Sequence, residues 1–590
     1  MKQLPVAAAA VVALILALDS LRMFGGTQLL GNWIVLETHY FFALLGVLLP
    51  GVFFTHPRWR WIDPILALGV LFACAYFFAH GEQIVDEGWE FTAPPLAVGF
   101  AGLLWVLLLE AVRRAGGTAL FVIAATFSVL PLIADQMPAP LTGLPASAAE
   151  TAAYHALSIE SIFGLPFQAF AELVIGFLLF GVALQHTGGG KFFLDSAFAL
   201  LGHVRGGPAK VAVVSSGFMG SMSGSVVTNV LTTGQLTIPA MKRMGMTGAI
   251  AGGVEACAST GGVLLPPIMG STAFVMATFL DVAYYEVALA ATLPALLYFF
   301  GLFLQVDAYA AKHALAGAPR ESLPRIGSVF KEGWHYLGAF LLLVFLLLIM
   351  QREAVAPYYA TVALLVLNQL TPAHRWNWTG LLAFLNATGR LLIEIVTVLA
   401  GVGLIVGALS ITGLSGTLVN DLLFIAGDNL WLLLMMGAFT SFVLGIGMTV
   451  TAAYIFLAVI LAPALVGQGV DAIAVHLFIL YWAMLSFITP PVALGAYAAA
   501  SIAGAKPMQT GVAAMRLGSV IYFIPFLFVL DTGLLLQGGW LDIAQSILRA
   551  VLAVGLVVAG LQGYLLGYGA LRAWWSRTLL LLTAALIVLI

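Results

Sequence analysis

Long apolar runs alternate with short polar connections along almost the whole chain. A helix needs about 20 apolar residues to cross a bilayer, and runs of this kind occur at approximately 5–21, 35–54, 62–80, 95–112, 118–134, 165–186, 247–280, 284–305, 334–350, 357–371, 390–413, 473–503, 515–535, 546–567 and 575–590. Glycine and proline interrupt two of them, 247–280 and 473–503. Stretches 191–206 and 374–389 are amphipathic and predict helices along the membrane surface. The pattern predicts about 15 crossings and an all-α polytopic membrane protein.

The amino-acid composition also predicts a membrane protein. Of the 590 residues, 62% are hydrophobic and 8% are charged, whereas soluble proteins carry about 25% charged residues. A chain of this kind requires the lipid bilayer as its solvent. The net charge of −3 gives no indication of a nucleic-acid partner. Cys74 and Cys257 lie in apolar stretches and predict neither a disulfide nor a metal site.

Basic residues mark one side of the predicted membrane. Positive charges concentrate in the cytoplasmic loops of membrane proteins, so Lys2 predicts a cytoplasmic N-terminus. If the chain changes sides at each predicted crossing, the following residues fall on the same side as Lys2: Arg58, Arg60, Arg113, Arg114, Lys191, Arg205, Lys242, Arg243, Lys506, Arg516, Arg572 and Arg577. Three arginines fall on the outer side against this rule: Arg22, Arg352 and Arg549.

The alternation holds only if two apolar segments do not cross the membrane. Segment 208–241 has basic residues at both ends, whereas segment 431–466 is flanked by Asp421, Asp428 and Asp471. Each segment should therefore enter and leave on one side, and the two should enter from opposite sides. Irregular backbone at membrane depth is tolerated only inside protein or beside a water-filled cavity. We expect two re-entrant helical hairpins whose tips meet near the middle.

The two segments belong to an internal repeat. Leu264–Pro267 and Ile488–Pro491 both end in a proline pair and are 224 positions apart. At the same offset Ser225 corresponds to Thr449. A repeated pair of glycine- and proline-broken apolar segments is the best sequence indicator of the binding site in a secondary transporter.

The hairpin tips carry oxygen ligands and little charge. The first tip spans 215–225 and the second spans 445–451, and both are rich in glycine, serine and threonine. Glycine allows a helix to break, and the freed carbonyls and hydroxyls suit a small hard cation. With the breaks at 260–267 and 486–491, each tip could supply one oxygen cage. The alternative is that these small residues merely let helices pack closely.

The sequence favours sodium over a proton as the coupling ion, because neither tip contains a carboxylate or a histidine. Glu255 is the nearest acid, and we expect it to make a structural hydrogen bond. Arg390 and Glu394 are spaced i,i+4 and are expected to pair on one helix face. Arg390 is also a candidate contact for an anion.

Several motifs resemble one transporter family. Ser-Gly-Phe-Met-Gly-Ser-Met-Ser-Gly-Ser at 216–225, Ile-Pro-Ala-Met-Lys-Arg-Met-Gly at 238–245 and Gly-Gly-Val-Leu-Leu-Pro-Pro-Ile-Met-Gly at 261–270 resemble the large membrane subunit of tripartite ATP-independent periplasmic (TRAP) transporters. Phe-Ile-Thr-Pro-Pro-Val-Ala at 487–493 fits the same family. The additional N-terminal spans look like the small membrane subunit fused in front, as in TAXI-type permeases.

The resemblance implies a division of the chain. Residues 1–150 would be the fused small subunit, and residues 155–535 the transport and scaffold region. Within that region the first repeat covers about 160–305, the linker 306–335 and the second repeat about 385–505. Residues 536–590 would be additional C-terminal membrane helices.

The resemblance also implies a function. The fold would be an elevator-type transporter in the cytoplasmic (inner) membrane of a bacterium or archaeon. It would import an organic acid anion, such as a C4-dicarboxylate, an oxo-acid, a sugar acid or an amino acid, coupled to Na⁺ at about two sites. A periplasmic solute-binding protein would deliver the solute. No catalytic residue and no other cofactor are expected.

Candidate residues follow from the same resemblance. One sodium site would use Ser221, Ser223, Ser225, Gly261 and Pro266. The other would use Gly445, Thr449, Thr451, Thr489 and Pro490. Substrate contacts would come from Gly224, Asn229, Thr260, Gly447 and Arg390.

Four alternatives stay open at this point. The chain could be a sodium/anion symporter that needs no binding protein, or its transport could be coupled to protons. Broken helices also build channel filters. An intramembrane enzyme is the remaining class, but no histidine-rich metal motif or Ser/His pairing within the spans supports it.

Overall fold

The structure is a computed structural model that describes residues 4–24, 28, 30–31, 33–34, 36–59, 61–139, 141–371, 374–427 and 429–589. Three charged residues used above to orient the chain, Lys2, Arg60 and Asp428, lie outside these residues. The described residues are overwhelmingly helical, which confirms the predicted all-α class.

The N-terminal region is a bundle of apolar helices. In chain order these helices are α1 (Leu4–Ser20), α2 (Glu37–Leu48), α3 (Gly51–Thr55), α4 (Ile62–Ala79), α5 (Gly81–Asp86), α6 (Trp89–Thr92), α7 (Pro95–Ala115), α8 (Gly117–Ser128) and α9 (Ala148–Leu157). Short 3₁₀ turns at Leu130–Leu132 and Ala134–Gln136 lead from α8 towards α9.

The first repeat follows. Its helices are α10 (Leu165–Ala169), continued by a π turn at Phe170–Val174, then α11 (Ile175–Thr187), α12 (Gly189–Leu201), α13 (Gly207–Ser223), α14 (Val226–Arg243), α15 (Gly248–Leu264), α16 (Gly270–Leu280) and α17 (Tyr284–Lys312). Helix α12 matches the amphipathic stretch predicted at 191–206. Between the end of α17 and the start of the next helix, the connection to the second half is non-helical except for a 3₁₀ turn at Arg320–Ser322.

The second half of the chain completes the fold. Its helices are α18 (Ile326–Leu348), α19 (Ala356–Leu370), α20 (Trp378–Ile411), α21 (Leu414–Ala426), α22 (Leu430–Gly447), α23 (Val450–Gly467), α24 (Ala472–Met484), α25 (Leu494–Ala503), α26 (Pro507–Leu517), α27 (Ile524–Leu530), α28 (Trp540–Gln562) and α29 (Trp574–Leu589). Short 3₁₀ turns lie at Leu485–Phe487, Ser519–Tyr522 and Thr532–Leu535. Strands β1 (Tyr564–Leu565) and β2 (Gly569–Ala570) form one antiparallel pair.

The backbone reproduces the 224-residue repeat. Helix α14 and helix α23 coincide at both ends when shifted by this offset, and α15 and α24, like α16 and α25, start at equivalent positions. Left-handed backbone also recurs at equivalent positions, at Gly245 and Gly469 and at Met269 and Ala493. The predicted breaks within 247–280 and 473–503 are confirmed, because each span consists of two helices.

Both predicted hairpins are present as antiparallel helix pairs. In hairpin 1 (α13 and α14) the Asn229 Nδ2 donates to the Ser216 carbonyl oxygen at 2.7 Å, across a break at Gly224 and Ser225. In hairpin 2 (α22 and α23) Gly437 lies against Leu461, across a break at Met448 and Thr449. Neither segment is a continuous rod. The membrane face from which each one enters stays a prediction.

The structure refines the predicted spans. Within the described ranges, nine helices are long and apolar enough to cross a membrane, or up to ten if the bent pair Pro507–Leu517 and Ser519–Leu530 counts as one span. A straight span over 515–535 was therefore wrong: this region bends by 66°. The surface helix expected at 374–389 was also wrong as a separate element. Asn377 caps its start through the Gly380 N–H at 2.9 Å, and without an interrupting proline the helix continues to Ile411.

Helix α20 connects the N-terminal bundle to the repeats. It packs against α1, α7 and α8 on one side and against α23 of hairpin 2 on another. Helix α15 holds the repeats together, because it packs against α13 and α14 of hairpin 1 and against α25 and α26 of the second half. The two hairpin tips thus face each other between these helices.

Candidate solute and ion site

The two hairpin tips border one cavity of about 520 Å³. Hairpin 1 contributes residues 223–228, and hairpin 2 contributes Ile446 and residues 448–451. The second half of each broken span also reaches the cavity, through residues 270–272 of α16 and Leu494 of α25. Helix α20 forms the remaining wall with mostly apolar side chains. The cavity therefore lies where the two repeats meet.

Four helices begin at this cavity. The first turns of α14, α16 and α23 line it, and α25 begins there at Leu494. The N–H groups of a first helical turn have no acceptor within the helix, and each helix start carries a partial positive charge of about half a unit. Helix starts of this kind bind carboxylates and other anionic groups. The cavity is thus electrostatically suited to an anion.

Equivalent hydroxyls cap the two hairpin helices. Ser225 Oγ accepts a hydrogen bond from the Thr228 N–H at 3.3 Å, and Thr449 Oγ1 accepts one from the Ala452 N–H at 3.3 Å. Serine and threonine are preferred at this position because the side-chain oxygen satisfies a free N–H of the first turn. The sequence correspondence of Ser225 and Thr449 therefore reflects the same local geometry in both repeats.

Hydrogen bonds also join the two repeats. Thr451 Oγ1 of hairpin 2 lies 2.8 Å from Thr272 Oγ1 and 3.1 Å from Ser271 Oγ, both at the start of α16. Sequence reasoning missed Ser271 and Thr272. The sequence does contain a pattern that could have indicated them. These two hydroxyl residues follow Gly270 at the start of the second half of the broken span, shortly after the proline pair.

Hairpin 1 touches α16 through its backbone. Gly224 has a left-handed φ of 63°, and a Cβ at this position would lie 2.5 Å from the Cα of Gly270. Only two glycines permit this approach. The tip of hairpin 1 and the start of α16 therefore form a single tightly packed unit.

Five of the predicted residues line the cavity: Ser223, Gly224, Ser225, Thr449 and Thr451. Nine others do not line it: Ser221, Gly261, Pro266, Gly445, Thr489, Pro490, Asn229, Thr260 and Arg390. The surroundings of Gly447, the remaining predicted residue, lie outside what the structure describes.

Two residues of the first predicted sodium site, Ser221 and Gly261, and the predicted substrate contact Thr260 have other contacts in this structure. Ser221 Oγ donates to the Phe218 carbonyl oxygen at 2.8 Å, and Thr260 Oγ1 donates to the Ala256 carbonyl oxygen at 2.8 Å. Gly261 lies so close to the Tyr298 ring that no side chain would fit. These positions currently serve close helix packing.

In the second predicted sodium site, the residues that do not line the cavity also have other contacts. Thr489 Oγ1 shares a hydrogen bond with the Tyr522 hydroxyl, away from the cavity. A Cβ at Gly445 would lie 2.5 Å from the Ala483 carbonyl oxygen, so α22 and α24 are in close contact there. Gly447 is the last residue of α22. The assignment of these residues to a sodium site stays a prediction.

The expected Arg390–Glu394 pair is wrong. In the part of the chain that the structure describes, neither residue forms an ion pair or a hydrogen bond. Both side chains are exposed, and an exposed i,i+4 pair gains only a few tenths of a kcal/mol, about 0.3–0.5 kcal/mol. Glu394 lines the central cavity instead. After Ser271 and Thr272, it is the third residue at the cavity whose position the sequence did not predict.

The expectation for Glu255 is confirmed. The side chain is fully buried and accepts hydrogen bonds from Ser216 Oγ at 2.7 Å, Thr233 Oγ1 at 2.5 Å and Ser259 Oγ at 3.3 Å, and also from Thr237 Oγ1. These bonds join both helices of hairpin 1 to α15. No group of three or more His, Cys, Asp or Glu side chains suited to a metal occurs among the described residues.

An apolar helical fold with two repeats, each with one hairpin and one broken span around a shared polar cavity, is the architecture of a secondary transporter. Comparison with known families agrees. The sequence model described as "Tripartite ATP-independent periplasmic transporter, DctM component" matches residues 103–541. The chain belongs to this family, and it is therefore a membrane transport permease rather than an enzyme.

Two relatives support this assignment, and one solved structure shares the fold. The chain is 28% identical over 341 residues to the C4-dicarboxylate TRAP transporter large permease protein DctM of Pseudomonas aeruginosa, covering 56% of this chain and 77% of that protein. It is 24% identical to the isethionate TRAP transporter permease protein DctMQ of Oleidesulfovibrio alaskensis, covering 56% of this chain and 52% of the relative. The YdaH transporter of Alcanivorax borkumensis shares the fold, with a TM-score of 0.52 and 14% identity, over 73% of this chain and 100% of that chain.

Proposed function

We propose that this chain imports a small organic acid anion together with sodium ions, after a separate periplasmic binding protein delivers the solute. The observation that carries the proposal is the convergence of four helix starts and the hydroxyls of both hairpin tips on one cavity. The solutes named for the two relatives, a C4-dicarboxylate and isethionate, are both small organic anions.

The cavity supplies anion contacts from the backbone. Among the described residues that line it there is no lysine, arginine or histidine. A carboxylate bound there would accept hydrogen bonds from first-turn N–H groups and from hydroxyls such as Thr228, Ser271 and Thr272. Recognition of this kind selects for charge and size and tolerates different carbon skeletons.

Sodium has ligands at the same tips. Helices α13 and α22 end there, and the carbonyl groups at a helix C-terminus carry partial negative charge and favour a cation. One ion would use Ser221, Ser223 and Ser225 with Gly261 and Pro266. The other would use Gly445, Thr449 and Thr451 with Thr489 and Pro490. The Ser221 hydroxyl donates to the Phe218 carbonyl oxygen and Thr489 shares a hydrogen bond with Tyr522, but a hydroxyl oxygen that donates its hydrogen keeps lone pairs for a cation.

Packing supports an elevator mechanism. Hairpin 1, α15 and α25 pack closely on one another, whereas α20 packs mainly against the N-terminal helices α1, α7 and α8. The first group would move with solute and sodium. Helix α20 and the N-terminal helices would stay fixed, and residues 1–150 would take the role of a fused small subunit.

The test is uptake into sealed vesicles that contain only this chain. We expect uptake of labelled organic acids, starting with C4-dicarboxylates, only with a solute-loaded periplasmic binding protein outside and an inward sodium gradient. Equal uptake without the binding protein would instead favour the independent symporter. Uptake that ignores the sodium gradient would rule out sodium coupling.

Glu394 supports proton coupling as a second candidate. A carboxylate inside a membrane protein often carries a transported proton, and Glu394 faces the cavity without an ion-pair partner among the described residues. If sodium drives transport, Glu394→Gln should leave the sodium dependence intact. If protons drive it, the variant should lose uptake driven by an imposed pH gradient while it retains solute exchange. Measuring uptake under each gradient separately distinguishes the two ions.

Loss of the two cap hydroxyls should weaken sodium binding. We expect Ser225→Ala and Thr449→Ala each to raise the sodium concentration for half-maximal uptake about tenfold, equivalent to about 1.4 kcal/mol, with expression intact. The matched control is Thr247→Ala, because Thr247 caps α15 through the Ile250 N–H and does not line the cavity. An unchanged sodium response in both tip variants would remove the tips from the ion site.

A further inference from the structure

A second cavity of about 520 Å³ lies between the base of hairpin 2 and the last two helices. Trp431 of α22 forms one side, and α28 forms the other. Apolar side chains such as Leu530 and Ile587 complete the wall. The family match ends at residue 541, so most of α28 and all of α29 lie outside it. Nothing in the proposed transport cycle uses this cavity.

Helix α28 turns a polar stripe towards the cavity. Asp542, Gln545, Ser546 and Arg549 occupy positions i, i+3, i+4 and i+7, which share one helix face, and all four line the cavity. Ser546 Oγ donates to Asp531 Oδ1 at 2.8 Å. Helix α28 is otherwise apolar and long enough to span a membrane. A polar stripe of this length on such a helix is costly unless it has a partner.

Arg549 has no partner among the residues that the structure describes. Throughout the described ranges it forms no ion pair and no hydrogen bond. It lies in the third turn of α28, about 10 Å along the axis from Asp542 at 1.5 Å per residue. It is also one of the three arginines that break the predicted charge pattern. An exposed arginine on a helix that is apolar and long enough to span a membrane, with no partner among the described residues, favours an anionic ligand from outside the chain.

We propose that this cavity binds the headgroup of an aminophospholipid from the outer leaflet. The phosphate would lie on Arg549 and Gln545, and the ammonium group would lie near Asp542 and Asp531. Long basic side chains extend back towards the membrane surface, which brings the guanidinium closer to Asp542. The order of Asp542 and Arg549 along α28 matches the order of groups in the lipid. The lipid amine is outermost, its phosphate lies below the amine, and its acyl chains reach the apolar wall.

The ligand chemistry distinguishes this lipid from others. An anionic headgroup without an amine would place its charge beside two aspartates and gain nothing from them. A choline headgroup has no N–H to donate to a carboxylate. The bound lipid would also contact Trp431 and would thereby link hairpin 2 to the C-terminal helices.

The test uses the full chain in nanodiscs of defined composition and native mass spectrometry of the released complex. We expect phosphatidylethanolamine to be retained in preference to phosphatidylglycerol and phosphatidylcholine. Arg549→Gln should lower its retention about tenfold, because the phosphate loses its charged hydrogen-bond partner. The control is Arg352→Gln, since Arg352 is also an outer arginine but does not line the cavity.

A second variant keeps the proposal testable if Arg549→Gln does not fold. Asp542→Asn should shift retention from phosphatidylethanolamine towards phosphatidylglycerol while Arg549 still binds phosphate. Equal retention of the lipids by the unmodified chain would overturn the proposal. Displacement of the lipid by soluble phosphoethanolamine at equal concentration would also overturn it, because the site would then take a free solute.

Discussion

Gly224→Ala should abolish solute uptake by the reconstituted permease. The new methyl group would lie 2.5 Å from the Cα of Gly270, and backbone atoms cannot rotate away as a side chain can. The left-handed φ of 63° adds a penalty of about 1–2 kcal/mol for any residue with a Cβ. Hairpin 1 would have to separate from the start of α16, and the cavity would lose its shape. Uptake in vesicles and thermal stability in detergent measure both consequences.

The control for this variant isolates the steric clash. Gly504 has nearly the same φ of 61°, but a Cβ there would meet nothing within 4 Å. Gly504→Ala should therefore lose about 1 kcal/mol of stability from backbone strain alone and keep its uptake. If the two variants transported equally well, close contact between hairpin 1 and α16 would not be needed for transport.

The repeat architecture could be predicted because its signals are local. Glycine and proline mark each break, and Ser225 and Thr449 cap equivalent helices. Capping and helix breaking depend only on nearby residues. The bounds of α14 and α23 therefore follow the sequence offset at both ends.

Contacts between the repeats were not predictable from such signals. Ser271 and Thr272 bind Thr451 across about 180 residues of sequence, and no local rule tells which repeat a helix start will face. The position of Glu394 was likewise not predictable from local signals. Its spacing from Arg390 suggested a pair, but the packing of α20 places it on the central cavity.

The ion-site prediction depended on which oxygen atoms are free, and a sequence cannot show this. Serine and threonine side chains in helices often bond back to the carbonyl oxygen three or four residues earlier. Ser221 of the first predicted sodium site does so here, as does Thr260, which was predicted as a substrate contact. The residue types were suitable for sodium, but the conformation decides whether their oxygens are available.

Glu255→Leu should strongly destabilise the transport region. The carboxyl group accepts hydrogen bonds from Ser216 and Ser259 inside the protein. Leucine would leave the Ser259 hydroxyl without this acceptor, and Ser216 would keep only Thr233 Oγ1. An unsatisfied buried polar group costs about 1–3 kcal/mol, so we expect a total loss of roughly 2–5 kcal/mol. Thr233 and Thr237 lose less, because each also donates to a backbone carbonyl of α14.

Two further variants separate hydrogen bonding from charge. Glu255→Gln keeps an acceptor of the same size and should retain most of the thermal stability, since the network loses only part of its bonding. Glu172→Leu is the matched control, because Glu172 is an exposed glutamate in the first repeat, and its replacement should leave the unfolding temperature unchanged. If Glu255→Leu were as stable as this control, the buried network would not be what holds hairpin 1 on α15. The hairpin would then be fixed mainly by the close approach of Gly220 and Gly262, and substituting those glycines would become the decisive experiment.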